Sequence, residues 1–292
     1  GYSRGAYTVR SLAGLIRTAS IVRREHVGKI SRAFELYRER DTGPDDHDAI
    51  EFRRTNGYVK KKPALVPIKA LACWDTVGSL GVPDFLPGPI DELLNRRHQF
   101  HDNKVSYIVE HAFHAAAVDE IRKSFQLTPM ERTKTTIRLA NQQTAKKKAK
   151  KKTKASASEG SEIPRAKLVE ELWFPGDHGG VGGGSIQKAR LADVALGWMI
   201  ERLTSTTDLT LKPDLMRGGL SADIMTPFEP EFGILGHATG RAHRDIPSFH
   251  LLHESVRERW CRSRSDGRDH EEIYFPKALG PFEGELDAYC ED

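Results

Sequence analysis

The chain has 292 residues, of which 38% are hydrophobic and 29% charged, with a formal charge of +4; this suits one large α/β domain or two small ones carrying a solvated insert. Seven positive charges lie between Lys146 and Lys154, which leaves the remainder at −3 and excludes the generally basic surface of a nucleic-acid binder. No apolar run approaches the roughly 20 residues that span a bilayer, and Cys73, Cys261 and Cys290 form no C-x-x-C pair, so they read as reduced, unpaired thiols.

Gly1-Tyr2-Ser3-Arg4-Gly5 spells the G-x-S-x-G nucleophile elbow, a sharp strand-to-helix turn that exposes its serine. Glycine is expected on both sides, because the turn brings the flanking backbones close. Apolar residues at Ala6, Val9, Leu12, Ala13, Ile16 and Ala19 follow with a helical period, predicting a helix over Ala6 to about Thr18. The strand that should lead into the elbow is absent from these residues. They read as the downstream piece of a longer protein, and no signal-peptide pattern stands at the visible start.

A second amphipathic helix is predicted over Val27–Arg40, a loop over Asp41–Asp48, and an approach to the next strand over Lys60–Pro67. IKALACW at Ile68–Trp74, bounded by Pro67 and Asp75-Thr76, reads as a buried strand. The Gly- and Pro-rich stretch after Gly78 is a long loop, followed by a short helix over Ile90–Arg97 and a long one over Val105–Phe125. Residues of about Thr133 to Ala166 are low in complexity and lysine-rich, which predicts a disordered insert. Leu168–Phe174 restores a strand ending in Pro175-Gly176-Asp177-His178. Glycine-dense Gly179–Gly184 follows, with Ser185 capping a helix over Ile186 to about Leu203. Thr204–Ser248 is loop-rich, and Phe249–Trp260 reads as a helix before an irregular tail. Alternating strands and helices predict an α/β layer fold with a mostly parallel sheet. It divides into 1–132, an insert over 133–167, and 168–292.

Hydrolytic serine chemistry needs a nucleophile, a histidine base and an orienting carboxylate. Ser3 at the elbow, Asp75 at the end of IKALACW and His178 after LVEELWF stand in the order Ser, Asp, His, the last two at the carboxyl ends of predicted strands. Taken singly, Asp75 reads rather as a turn-capping Asx residue, and His178 equally as a structural hydrogen-bonding residue. The glycine run lacks the Lys-Ser/Thr of a phosphate loop. His98, His101, His111 and His114 form two H-x-x-H pairs that would share a helical face, but no carboxylate completes a zinc signature. No cofactor and no metal are therefore expected. The lysine run Lys146–Lys154 reads as a solvated linker, with attraction to an anionic membrane surface as the second reading.

GYSRGA at Gly1–Ala6, CWDTVGSLG at Cys73–Gly81 and WFPGDH at Trp173–His178 with VGGG at Val181–Gly184 resemble a bacterial α/β-hydrolase family. It was long labelled a domain of unknown function, and it includes phospholipase effectors of type VI secretion systems. HAAAVDE at His114–Glu120 with Arg122 and Phe125, LGWMI at Leu196–Ile200 and HESVR at His253–Arg257 extend the match. The resemblance implies an α/β-hydrolase-like sheet and serine esterase or lipase chemistry on phospholipids or other acyl lipids. Ser3 would be the nucleophile, His178 the base, Asp75 the acid, and the Arg4 backbone N–H one oxyanion donor. It also implies an acyl-lipid substrate, a secretion-system partner, and synthesis in the cytosol followed by delivery into target cells. The family's glycine loop carries an Asp two residues after the histidine, where this chain has Gly180. Asp177 is not assumed to replace it, so a catalytically weak, hydrolase-like binding or secretion module is the alternative. With its leading strand and second oxyanion loop missing, this piece alone is expected to hydrolyse esters poorly.

Overall fold

The computed structural model describes residues 1–39, 43–59, 64–78, 104–132, 168–212, 219–265 and 273–291. The helix predicted after the elbow is α1 (Arg4–Ala19), followed by α2 (Ile30–Arg38) and α3 (His47–Asn56). Strands β1 (Ile68–Trp74), β3 (Val109–Ala117) and β5 (Leu168–Phe174) form a parallel sheet in the order β1-β3-β5, and β2 (Lys104–Val105) pairs with β4 (Glu131–Arg132) separately. Beyond β5 come α4 (His178–Gly182), α5 (Ala189–Thr206), α6 (Gly233–Thr239), α7 (Glu254–Ser265) and α8 (Glu283–Glu291). The arrangement is α/β, as predicted. The short helix expected over Ile90–Arg97 and the lysine-rich insert lie outside the described residues.

β3 overturns the long helix expected over Val105–Phe125. All nine of its residues are buried, because a central parallel strand is covered on both faces and loses the polar alternation that marks a half-exposed strand. Alanine-rich VEHAFHAAA favours helix locally; pairing on both sides decides otherwise. Val109 to Ala115 align with β1, and His111 to Ala117 with β5.

One sheet face receives α1, whose Ala6, Val9, Ala13 and Ile16 pack on Leu71, Cys73 and Val109. The other receives α5, where Ala195, Trp198 and Met199 meet Phe113, Ala115 and Phe174. The expected helix over Val27–Arg40 is shortened to α2, preceded by a 3-10 turn at Arg24–Lys29 that is kinked at His26. Nothing in the sequence reading anticipated α3, because two of its buried positions, Arg53 and Asn56, are polar. Arg53 Nη1 donates to the Arg17 and Thr18 carbonyls at 3.1 and 3.0 Å, so a cation satisfies the C-terminal end of α1.

Residues 249–260 are not one helix. His253 N–H donates to Trp173 O at 2.9 Å and Leu252 bridges Trp173 in parallel, so the segment first runs beside β5 and only then turns into α7. Leu252, Val256 and Trp260 seal a third cluster with Trp173, Leu279 and Leu286. The tail expected to be irregular contains α8, packed on α7. That packing brings the Cα atoms of Cys261 and Cys290 to 5.3 Å, and the two are disulfide-bonded. Only Cys73 is a free, buried thiol. The expectation of three reduced cysteines fails because a pair 29 residues apart is joined by tertiary packing that spacing does not reveal.

Closing that loop contributes roughly 3–4 kcal/mol in the chain-entropy account. Full reduction is therefore expected to lower the melting temperature by several degrees, measured by calorimetry alongside a thiol titration. A Cys261→Ser/Cys290→Ser protein should melt where the reduced one does, and should no longer respond to reductant.

Asp119, at the end of β3, accepts from Gly176 N–H at 2.6 Å and Tyr274 O–H at 2.8 Å, tying the C-terminal segment to the loop after β5. Burial pushes its carboxyl up to about 6, although those donors pull it back. Its folded value thus exceeds its unfolded one, so Asp119 costs stability as pH rises from about 4 through 6. Asp119→Asn keeps an acceptor and loses the charge. Its melting temperature relative to wild type is expected to improve from pH 4.5 to about 6.5 and then to level off towards about 7.5, by scanning calorimetry across that range.

Candidate active site

Parallel strands place their carboxyl ends on one edge of a sheet. Tyr2 bridges Trp74 in parallel, with Trp74 N–H donating to Gly1 O at 2.8 Å and Ser3 N–H to Trp74 O at 3.0 Å. The elbow is thereby attached beside β1. The same edge carries Ser3, Asp75 after β1, Asp119 and Glu120 after β3, and Gly176–His178 after β5.

Ser3 stands at φ 56 and ψ −125 at the head of α1, and its side chain makes no capping bond. This backbone is strained for a residue with a Cβ, and such strain collects at functional sites. Ala6 N–H bonds Tyr2 O and Tyr7 N–H bonds Ser3 O. The Arg4 N–H therefore belongs to the N-terminal donors that no helix carbonyl can take up. A Cβ on Gly1 would lie 2.5 Å from Gly5 O, whereas one on Gly5 meets nothing within 4 Å. Glycine is thus enforced on one side of the elbow rather than both, because Gly5 already sits in the first helical turn facing open space.

Asp75 is fully buried at φ 41. Its Oδ2 lies 2.6 Å from His178 Nδ1, and its Oδ1 accepts from Ala117 N–H at 2.9 Å. Burial alone would raise the carboxyl. The Arg244 guanidinium and the His178 bond outweigh it, and hold Asp75 well below the ordinary carboxylate range. With Asp75 ionised, Nδ1 carries the proton of that bond, which leaves Nε2 as the basic nitrogen.

The His178 ring lies between Tyr2, at 4.6 Å, and the edge of Phe125, at 4.9 Å. Its backbone N–H donates to Glu120 Oε2 at 3.2 Å, and its carbonyl accepts from Tyr2 O–H at 3.2 Å. The structure thus joins Asp75 to His178. It sets Ser3 beside them through Tyr2, without a hydrogen bond between the Ser3 hydroxyl and the imidazole.

The loop after β5 is held by Asp177, not by the residue at 180. Asp177 accepts from Gly180 N–H at 2.8 Å, Lys188 Nζ at 2.7 Å and Glu231 N–H at 2.9 Å. A side chain at 180 would press within 3.2 Å of Asp177 Oδ1. Gly182 has a separate reason: a Cβ there would overlap the Tyr2 ring at 2.0 Å. A largely apolar cavity of about 420 Å³ opens beside Tyr2, bounded by Trp74, Val181, Ala192 and Leu196.

His111 and His114 do not share a helical face, since they sit on a strand, where residues three apart point to opposite sides. His98 and His101 lie outside the described residues. His114 donates through Nδ1 to Glu171 at 2.7 Å and accepts the Thr76 N–H at Nε2 at 3.0 Å, fixing the turn after Asp75. No group of side chains able to hold a metal occurs among the described residues.

Arg244 was missed by the sequence reading. It comes from the segment that periodicity left unassigned, and a lone arginine among polar residues carries no local signal. The family model described as "T6SS, Phospholipase effector Tle1-like, catalytic domain" matches residues 1–202. No curated protein and no solved structure matches the chain.

Proposed function

The chain belongs to the Tle1-like phospholipase effectors of type VI secretion, and from that premise we propose that it is a serine hydrolase of α/β-hydrolase type, cleaving carboxylic ester bonds of phospholipids. The observation that carries this reading is the 2.6 Å contact of Asp75 with His178, beside a serine held at positive φ on the neighbouring strand end. His178 Nε2 takes the proton as Ser3 Oγ attacks the ester carbonyl, and Asp75 stabilises the imidazolium so formed. The Arg4 N–H faces the oxyanion. His178 then protonates the departing alcohol, leaving an acyl group on Ser3. Water, deprotonated by the same nitrogen, releases the fatty acid.

The cavity suits an acyl chain, since its walls are largely apolar and Tyr2, which helps to line it, precedes Ser3 in the chain. The Asp177 bonds to Gly180 and Lys188 supply the loop order that a side chain at 180 would otherwise provide, which favours the catalytic reading over a binding module. No described helix is long and apolar enough to cross a membrane. Family membership implies delivery into a target cell, where the lipid would be met at a bilayer surface.

Ser3→Ala is expected to lower phospholipid hydrolysis by about 10³-fold or more while leaving circular dichroism and melting temperature unchanged; full activity in that variant would sink the assignment. Ala192→Phe fills the cavity, and is expected to shift preference towards short-chain esters, read as kcat/KM across a chain-length series. An unaltered series would remove the cavity from the substrate path.

A further inference from the structure

Asp75 has a charged partner that the proposed acyl transfer does not use. Arg244 Nη1 donates to Asp75 Oδ1 at 2.5 Å and Nη2 to Oδ2 at 2.9 Å, the oxygen that also meets His178. The remaining hydrogens of the fork go to Ala117 O at 3.0 Å and Phe125 O at 2.6 Å. Arg244 is 2% exposed, and its Nε finds no acceptor among the described residues. The segment that carries it is pinned to the strand-end loop: Lys123 N–H donates to Gly240 O at 3.1 Å and Ala242 N–H to Ile121 O at 2.9 Å. It also lies beyond residues 1–202, the part matched by the family model.

We propose that Arg244 is a positioning residue for the acyl transfer, a fork that sets both the orientation and the charge balance of the Asp75–His178 pair; the inference rests on the reading of Ser3, Asp75 and His178 given above. Stability does not explain it. An ion pair this deeply buried gains little net stability, because desolvation offsets most of the attraction. Orientation alone needs only neutral donors such as the Ala117 N–H. A bidentate guanidinium adds two things: it locks the carboxylate plane, and it opposes the negative charge behind the imidazole.

With Arg244 in place, His178 faces a pair of near-zero net charge. The guanidinium also keeps Asp75 ionised in acid, which extends activity to lower pH. Two nearby carboxylates have cations of their own. Glu120 is matched by Arg122, with which it forms a fork at 2.6 and 2.8 Å, and Asp177 by Lys188. His114 is bonded to Glu171, Asp119 to Tyr274, and Tyr2 lies against His178. Arg244 is the cation in contact with Asp75 itself.

The test is the pH dependence of kcat/KM for p-nitrophenyl butyrate, in the wild type, Arg244→Gln, Arg244→Lys and Ser3→Ala. Removing the charge is expected to move the acid limb of Arg244→Gln upward by about one pH unit, about a tenfold loss below the limb. Arg244→Lys keeps the charge but not the fork, so its limb should stay in place while kcat falls at every pH and KM does not. An Arg244→Gln limb superimposed on the wild type, or an undiminished kcat in Arg244→Lys, overturns the proposal. So does failure of both variants to fold by circular dichroism, which would assign Arg244 to the scaffold. Ser3→Ala separates the two readings. If it retains activity, the serine mechanism fails. If it is inactive and the Arg244→Gln limb does not move, only the role of Arg244 fails.

Discussion

A carboxylate with no solvent contact must be compensated by its neighbours, and the edge of this sheet is built around one. Asp75 is ionised at zero exposure because His178, Arg244 and the Ala117 N–H all converge on its two oxygens. Those three partners arrive from three parts of the chain: the loop after β5, the irregular segment before α7, and the end of β3. The ionised state of one side chain therefore requires the sheet register, the glycine loop and the C-terminal lobe to be right together. Removing any one partner would leave the others facing a buried, underpaired charge, which is far costlier than the loss of a single hydrogen bond.

The same economy of polar groups organises the flanks. Arg53 closes α1, Asp177 closes the N-terminal end of α4, and His114 holds the Thr76 N–H in the turn that presents Asp75. Each is a buried polar side chain spent on backbone groups that helices and strands leave unsatisfied. Around them the apolar packing is conventional, with α1 on one face of the sheet and α5 on the other. The strained backbones of Ser3 and Asp75 stand together at the carboxyl edge of that sheet. Strain of this kind persists only where surrounding structure over-determines it.

Near-neighbour chemistry was legible from the residues themselves. The elbow spacing, the apolar period of α1, the run IKALACW and the strand LVEELWF each state their local structure, because each is marked within a few residues by turn chemistry or by hydrophobic period. The order Ser3, Asp75, His178 was legible for the same reason: strand ends announce themselves, and parallel strands share an edge. The contact between Asp75 and His178 followed from that placement.

What the amino-acid order could not decide was whatever depends on partners distant in the chain. VEHAFHAAA has no intrinsic reason to be a strand; burial between β1 and β5 makes it one. Cys261 and Cys290 have no telling spacing; the packing of α7 against α8 joins them. Arg244 has no motif, and only the pinning of residues 240–242 to the loop after β3 brings its guanidinium to Asp75. Local pattern determined which side chains stand at the edge of the sheet. Long-range pairing decided which charge they are given, because electrostatics in a dry site is set by whatever the fold places within a few ångströms.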